Sequence, residues 1–363
     1  MYVIAYRRAL RYNPDMRELP NLDLLRSIAV SLVVLDHMCK FAGVQEVHGY
    51  STGWAGVFGV YFFFVHTSLV LMWSIERQPH VMNFYIRRAF RIYPLSIVAI
   101  LIALVFRFPV TDGAQILIRH PHYTFKAILA NILLVQNLVW QPSVLGVMWT
   151  LTIEVQMYIL LPALFLYANR EKRIWQVLVL WSLAVMVARM FGSAGGNNIV
   201  SVVPVFMCGV IAYIAYSKFR ARLPAWTFFP FLAVLFACFI RKPGVSISWP
   251  LMLILGLSLP LFRSISMKPL VWVSHTVAKY SYGVYLFHFF ALYIAFRTLP
   301  SHNVGLQIAI ALAITIIAST LGYHLVEEPL IRLGSHLAKA NNRRESARAL
   351  TRDAAYLPAV VKQ

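Results

Sequence analysis

Charge is scarce in this sequence, and acid above all. Only 13% of its 363 residues are Asp, Glu, Lys or Arg, and 13 are acidic. A soluble domain usually carries about 25%, so an ordinary hydrated surface is excluded. Cysteine is sparse too. Cys39, Cys208 and Cys238 are scattered in or beside apolar stretches. They form no disulfide framework and no metal motif, and read as small hydrophobes in helix packing. Zinc-finger, homeodomain and RNA-binding patterns are missing. The excess of 33 basic over 13 acidic residues, a formal charge of +20, is therefore no nucleic-acid footprint. The start of the chain lacks a clean apolar core and carries Arg7, Arg8, Arg11 and Arg17, so a cleaved signal peptide is not expected there.

What is abundant is grease: 60% of the residues are hydrophobic and the mean hydropathy is +0.68. Ten predominantly apolar segments recur: Ile28–Ala42, Trp54–Trp73, Ile92–Phe106, Val147–Tyr167, Ile174–Ala188, Val200–Tyr216, Trp226–Ile240, Ile247–Phe262, Tyr280–Phe296 and Val304–Val326. With their flanks each reaches the roughly 17–25 residues that cross a bilayer. Basic clusters sit between them, as positive-inside signals or as contacts for anionic lipid. An eleventh apolar piece, Phe125–Val139, is short and contains Asn131, Gln136 and Asn137. Counting it as re-entrant or interfacial brings the basic clusters to the cytoplasmic side, with Arg241 and Lys242 the exception. The expected fold is all-α: a polytopic integral membrane helical bundle of about ten transmembrane helices plus that short segment, both termini cytoplasmic. The expected division is a basic N-terminal arm over 1–18, a membrane domain over 19–332 and a polar tail over 333–363, helical or disordered.

Ionisable residues within such segments are costly and are functional candidates by default. In "SIAVSLVVLDHM", His37 lies 11 residues after Arg26, almost on the same helix face and about 16 Å away along the axis. Asp23 can pair with Arg26 one turn earlier. Asp36 points about 100° away from His37. Each histidine or acid is either functional or a hydrogen bond to a neighbouring helix. In "NFYIRRAFRIYPL", Arg87, Arg88 and Arg91 recur within a turn and can converge on phosphates, with Tyr93 beside them and Pro94 in a first helical turn; plain positive-inside anchoring explains them equally. Glu154, with Tyr158 one turn on, needs a partner such as Arg26 or an arginine of the 87–91 cluster, and reads as a functional acid or a buried ion pair. "YSYGVYLFHF" sets Tyr285 and His288 a turn apart, and Glu327 and Glu328 precede Pro329 where they can cap basic groups; interfacial anchoring is the plain alternative for both. His66, in "YFFFVHTSL", is as readily a packed, hydrogen-bonded histidine.

In this order the motifs resemble the membrane-bound acyltransferase-3 family, the bacterial O-acyltransferases of polysaccharide, lipopolysaccharide and nodulation factors. Arg26 and His37 form R-x10-H, Arg88 and Arg91 form R-x2-R before "IYP", and "WTLTIEVQMYILLP", "YSYGVYLFH" and "EEP" follow. The resemblance spans roughly residues 19 to 332. It implies a ten-span domain that takes an acyl group from cytoplasmic acyl-CoA, acetyl-CoA being the expected donor, with no metal. Arg26, His37 and Glu154 carry over as catalytic residues and Arg88 and Arg91 as donor-binding, with Arg87 and Tyr93 beside that pair as further donor-binding candidates. Trp149, Tyr285 and His288 carry over as supporting residues, and Asp36, His66 and Tyr158 join them as polar residues within apolar segments. The implied acceptor is a carbohydrate or lipid-linked glycan, the partner surface is membrane lipid and the location is the bacterial inner membrane. One departure stands out: where the family has Ser-Gly after the "FF" of the second helix, this chain reads Val65-His66-Thr67-Ser68, which bears on the acceptor pocket. A transporter of a polar glycan or lipid-linked sugar explains His37, Asp36 and Glu154 as well but the arginine pair less well, and a non-catalytic scaffold leaves the ordered motifs to accident.

Overall fold

The computed structural model describes residues 19–112, 115–119, 122–171, 174–192, 198–299 and 303–356; the expected basic arm over 1–18 lies outside them. Leu19 is extended and Pro20 opens α1 (Pro20–Phe41) in its first turn, where a missing N–H costs nothing. A hairpin of β1 (Glu46–Val47) and β2 (Tyr50–Ser51) leads to α2 (Gly53–Arg77). Next come α3 (Val81–Val105), the antiparallel pair β3 (Val110–Asp112) and β4 (Gln115–Arg119), and α4 (Phe125–Ile132). The long helices resume with α5 (Trp149–Glu171), α6 (Ile174–Phe191), α7 (Ile199–Lys218), α8 (Phe228–Arg241) and α9 (Val245–Ser258). Last come α10 (Lys268–Tyr293), α11 (Val304–Gly322) and α12 (Glu328–Tyr356), with π-helical turns at Ile294–Thr298 and Tyr323–Glu327. Asn198 and Asn303 cap α7 and α11 by accepting from Ser201 N and Leu306 N at 2.9 and 3.1 Å.

The result is an all-α bundle with the apolar pattern of a membrane protein. Buried side chains of α1, α2, α7 and α10 make the centre, while Ile316, Ile317, Leu321 and Leu325 face outward from α11 and its π-turn. Apolar surface this extensive matches a bilayer rather than water. Small residues let the central helices close up. A Cβ on Gly209 would fall 2.3 Å from the Val65 carbonyl, and one on Gly59 2.5 Å from that of Ala29, the close approach that membrane helices use.

The structure corrects several expectations. Among the described residues, six helices rather than ten are long and apolar enough by themselves to cross a membrane. Ala225–Arg241 and Val245–Leu261 are apolar but short. The helices α1 and α10 are long enough but diluted by Asp23, Arg26, Asp36, His37 and Lys40 in one and by Lys268, His275, Lys279 and His288 in the other. Pro94 is in the interior of α3, not its first turn. The helix begins earlier because Phe84 is fully buried and Asn83 bonds the α12 side chains Asn341 and Asn342. Helix α12 runs on from the expected membrane domain into the expected tail, the helical alternative for that tail. Helix α4, at about 1.5 Å per residue, is too short to cross about 30 Å of hydrocarbon. The turns after it put Leu134 and Trp140 at φ +55°, and Tyr123 Oη, pushed up to about 12 by burial, donates to Ser143 O at 3.3 Å.

Candidate active site

Five helices converge on one cavity of about 110 Å³. Helix α2 supplies an apolar wall of Val60, Phe63, Phe64 and Leu71, interrupted by His66 and Thr67. Polar groups face it: Arg26 from α1, Arg88 and Arg91 from α3, Glu154 and Tyr158 from α5, and Ser281, Tyr282 and Tyr285 from α10. Glu154 accepts from Tyr158 Oη at 2.5 Å, and its neighbouring charges are Arg26, Arg88 and Arg91. Arg26 Nε donates to Ser281 Oγ at 2.7 Å. Arg91 forms an ion pair with buried Glu327, and its guanidinium carbon lies 6.0 Å from the Tyr282 ring centre. Arg26, Arg88 and Arg91 set against Glu154 and Glu327 leave one positive charge in excess. Arg88 Nε is buried with no hydrogen-bond partner, and so is Glu327 Oε2. His66 is 6% exposed and makes no side-chain hydrogen bond among the described residues; Arg26 is the charge that acts on it.

His37 is not in this cavity. Helices α1 and α10 run side by side in the same direction, Ser27 touching Ser274 and, further along both, His37 touching His288. The 11 residues from Arg26 to His37 span the distance from the cavity to that contact, with His37 Nδ1 and His288 Nε2 3.2 Å apart. Two centres result, about 16 Å apart along α1: a cavity of arginines and carboxylates, and a pair of imidazoles. Tyr285 links them. It lines the cavity, its ring centre is 6.1 Å from that of His288, and its hydroxyl donates to Val147 O at 2.7 Å with Thr150 Oγ1 2.6 Å away.

Four of the expected residues lie elsewhere. Arg87 turns away to Gln78 Oε1, because neighbours on a helix point about 100° apart. Tyr93 Oη donates to Leu133 O at 3.1 Å and so braces the segment after α4. Asp36 pairs with Lys40 at 3.0 Å. Trp149 packs against the core at the start of α5, and its carbonyl accepts from Thr152 Oγ1 at 2.6 Å. Thr67 and Thr150 also line the cavity; Thr150 is one turn before Glu154 on the same helix face, the one mark of it in the sequence, and Thr67 carries none. Among the described residues no group of three His, Cys, Asp or Glu gathers as a metal site.

Comparison with known proteins decides the family. Residues 19–324 match the profile of the acyltransferase-3 family, described as an acyltransferase domain. The chain belongs to the acyltransferase-3 family. Both centres, Arg26 to Tyr285 and His37 with His288, lie within the matched acyltransferase domain; Glu327 lies just after it. The chain is also similar to "Acyltransferase MdmB" of Streptomyces mycarofaciens, 28% identical over 181 residues, 45% of this chain and 43% of that protein. The match thus spans less than half the length of this curated acyltransferase. No solved structure matches this acyltransferase-family chain.

Proposed function

We propose that the protein transfers an acyl group, acetyl in the first instance, from acyl-CoA to a hydroxyl of a sugar or lipid-linked glycan at the bacterial inner membrane. The observation that carries this reading is the cavity of Arg26, Arg88 and Arg91, with one positive charge in excess and a buried Arg88 Nε lacking a partner. Buried donors of this kind call for an anionic ligand, and the phosphates of CoA supply one. Family membership supports a thioester donor.

In the reaction His37 acts as general base. It takes the proton of the acceptor hydroxyl while that oxygen bonds the thioester carbonyl carbon. The C–S bond then breaks and the proton passes to the departing thiolate. Tyr285, the cavity tyrosine nearest the imidazoles, steadies the oxyanion, and Arg26, about 16 Å back along α1, serves the donor end instead. The pantetheine arm spans from the arginines to the imidazoles past Tyr285. A positioned base is worth about 10²–10⁴-fold.

Calorimetric titration of the protein in nanodiscs with acetyl-CoA tests the reading. Wild type and His37→Ala are expected to bind saturably and Arg88→Ala/Arg91→Ala to lose binding. In acyl transfer His37→Ala is expected to fall by the factor just given. Binding that survives in the arginine variant, or full transfer by a folded His37→Ala, overturns the respective assignment.

A further inference from the structure

The imidazole pair holds information in its protons. A backbone carbonyl can only accept a hydrogen bond. Val284 O lies 3.0 Å from His288 Nδ1, so the His288 proton is on Nδ1 and Nε2 of the neutral ring is bare. Val33 O lies 3.0 Å from His37 Nδ1, so His37 also carries its proton there. The 3.2 Å contact between the rings is then a donation from His37 Nδ1–H to the His288 Nε2 lone pair, the one N–H being shared with Val33 O. Reversing the His288 tautomer would set two N–H groups against each other; reversing that of His37 would oppose two lone pairs. The rings are held at 5.0 Å between centres and 51° between planes, with the edge of Phe289 against His37. His288 is 0% exposed and beyond reach of a substrate. His37 is half-buried, and its Nε2 takes no part in the pair.

We propose that His288 is a positioning residue: it helps lock the His37 proton on Nδ1, so that a bare His37 Nε2 meets the acceptor. The identity of that acceptor rests on the acyl-transfer reading; the proton arrangement does not. As Nε2 takes the hydroxyl proton, the charge that forms on His37 is held at the back of the ring by the His288 lone pair. That is the place of the carboxylate in a serine-hydrolase triad. A neutral imidazole suits the bilayer interior because no second charge has to be desolvated.

The test reads ring protons directly, by two-bond 1H–15N correlation on protein labelled with ring-15N histidine in nanodiscs. Two of the 11 histidines are assigned by the signals lost in His37→Gln and His288→Gln. In the wild type both rings are expected as Nδ1–H with Nε2 bare. In His288→Phe, which keeps bulk and removes the acceptor, His37 is expected to gain a measurable Nε2–H fraction. His288→Gln, whose amide oxygen accepts, restores the Nδ1–H form. Either wild-type ring protonated on Nε2, or a His37 spectrum unchanged by His288→Phe, overturns the proposal. Should the Phe variant not fold, His288→Leu, which also removes the acceptor, is read in the same way, and a His37 spectrum unchanged there overturns the proposal. Because no acyl transfer is measured, a failed acyltransferase reading and a failed tautomer lock give different results.

Discussion

At the scale of single residues, Glu327 carries more of the site than its place near the end of a membrane segment suggests. It is 1% exposed and pairs with Arg91, whereas adjacent Glu328 pairs with exposed Arg332 and His324. Removing one partner of a buried pair leaves an uncompensated charge, a loss of about 3–5 kcal/mol; an exposed pair is screened by solvent and contributes little. Glu327→Gln is therefore expected to lower the thermal midpoint in detergent by many degrees and Glu328→Gln to leave it almost unchanged. Equal shifts would contradict the division. From the sequence alone both glutamates could cap basic groups. The π-helical turn over Tyr323–Glu327 aims one at Arg91, and nothing in the local sequence announces it.

At the scale of elements, one side chain makes three of the bonds that hold the segment from α4 to α5. Asn131 Nδ2 donates to Ala127 O and Pro142 O at 2.8 and 2.9 Å, and its Oδ1 accepts from buried Val144 N at 2.9 Å. Non-helical backbone at membrane depth persists only where protein satisfies it. Asn131→Leu keeps the bulk and strands those groups, at about 1–3 kcal/mol for each left unpaired. Faster proteolytic cleavage between Val139 and Ser143 is expected in the variant. A cleavage rate equal to that of the wild type would show that Asn131 does not hold the segment. The failure of Phe125–Val139 to span was legible from its length and its amides. The use of Asn131 as its clasp was not, because Pro142 and Val144 are distant until the chain turns back at Leu134 and Trp140.

At the scale of the whole molecule, two of the five helices that carry the site, α1 and α10, fall short of the hydropathy of a membrane span. Both α1 and α10 lose hydropathy to the residues that meet between them, Arg26 with Ser281 and His37 with His288. Burial in the bundle, rather than lipid, shields those groups, and this is why α1 and α10 fall outside the six, whereas Ala225–Arg241 and Val245–Leu261 fall outside by length. The proposed topology has a direct test. In a variant without the three native cysteines, Ser51→Cys is expected to react with an impermeant maleimide on intact spheroplasts and Gln78→Cys only after lysis. The reverse pattern would invert the orientation.

Composition and spacing by themselves determined that the chain is a helical membrane protein, and that Arg26 and His37 share a helix face with Arg88 and Arg91 on another helix. These follow from the scarcity of charge and from the helical repeat, which are local properties of the chain. Tertiary structure alone decided that the arginines and His37 belong to separate centres about 16 Å apart, that Arg87 is outside both, and that His288 stands behind His37. Those facts depend on how α1, α3, α5 and α10 pack, and packing between helices distant in sequence is set by shape and small residues such as Gly59 and Gly209, which a linear pattern does not record.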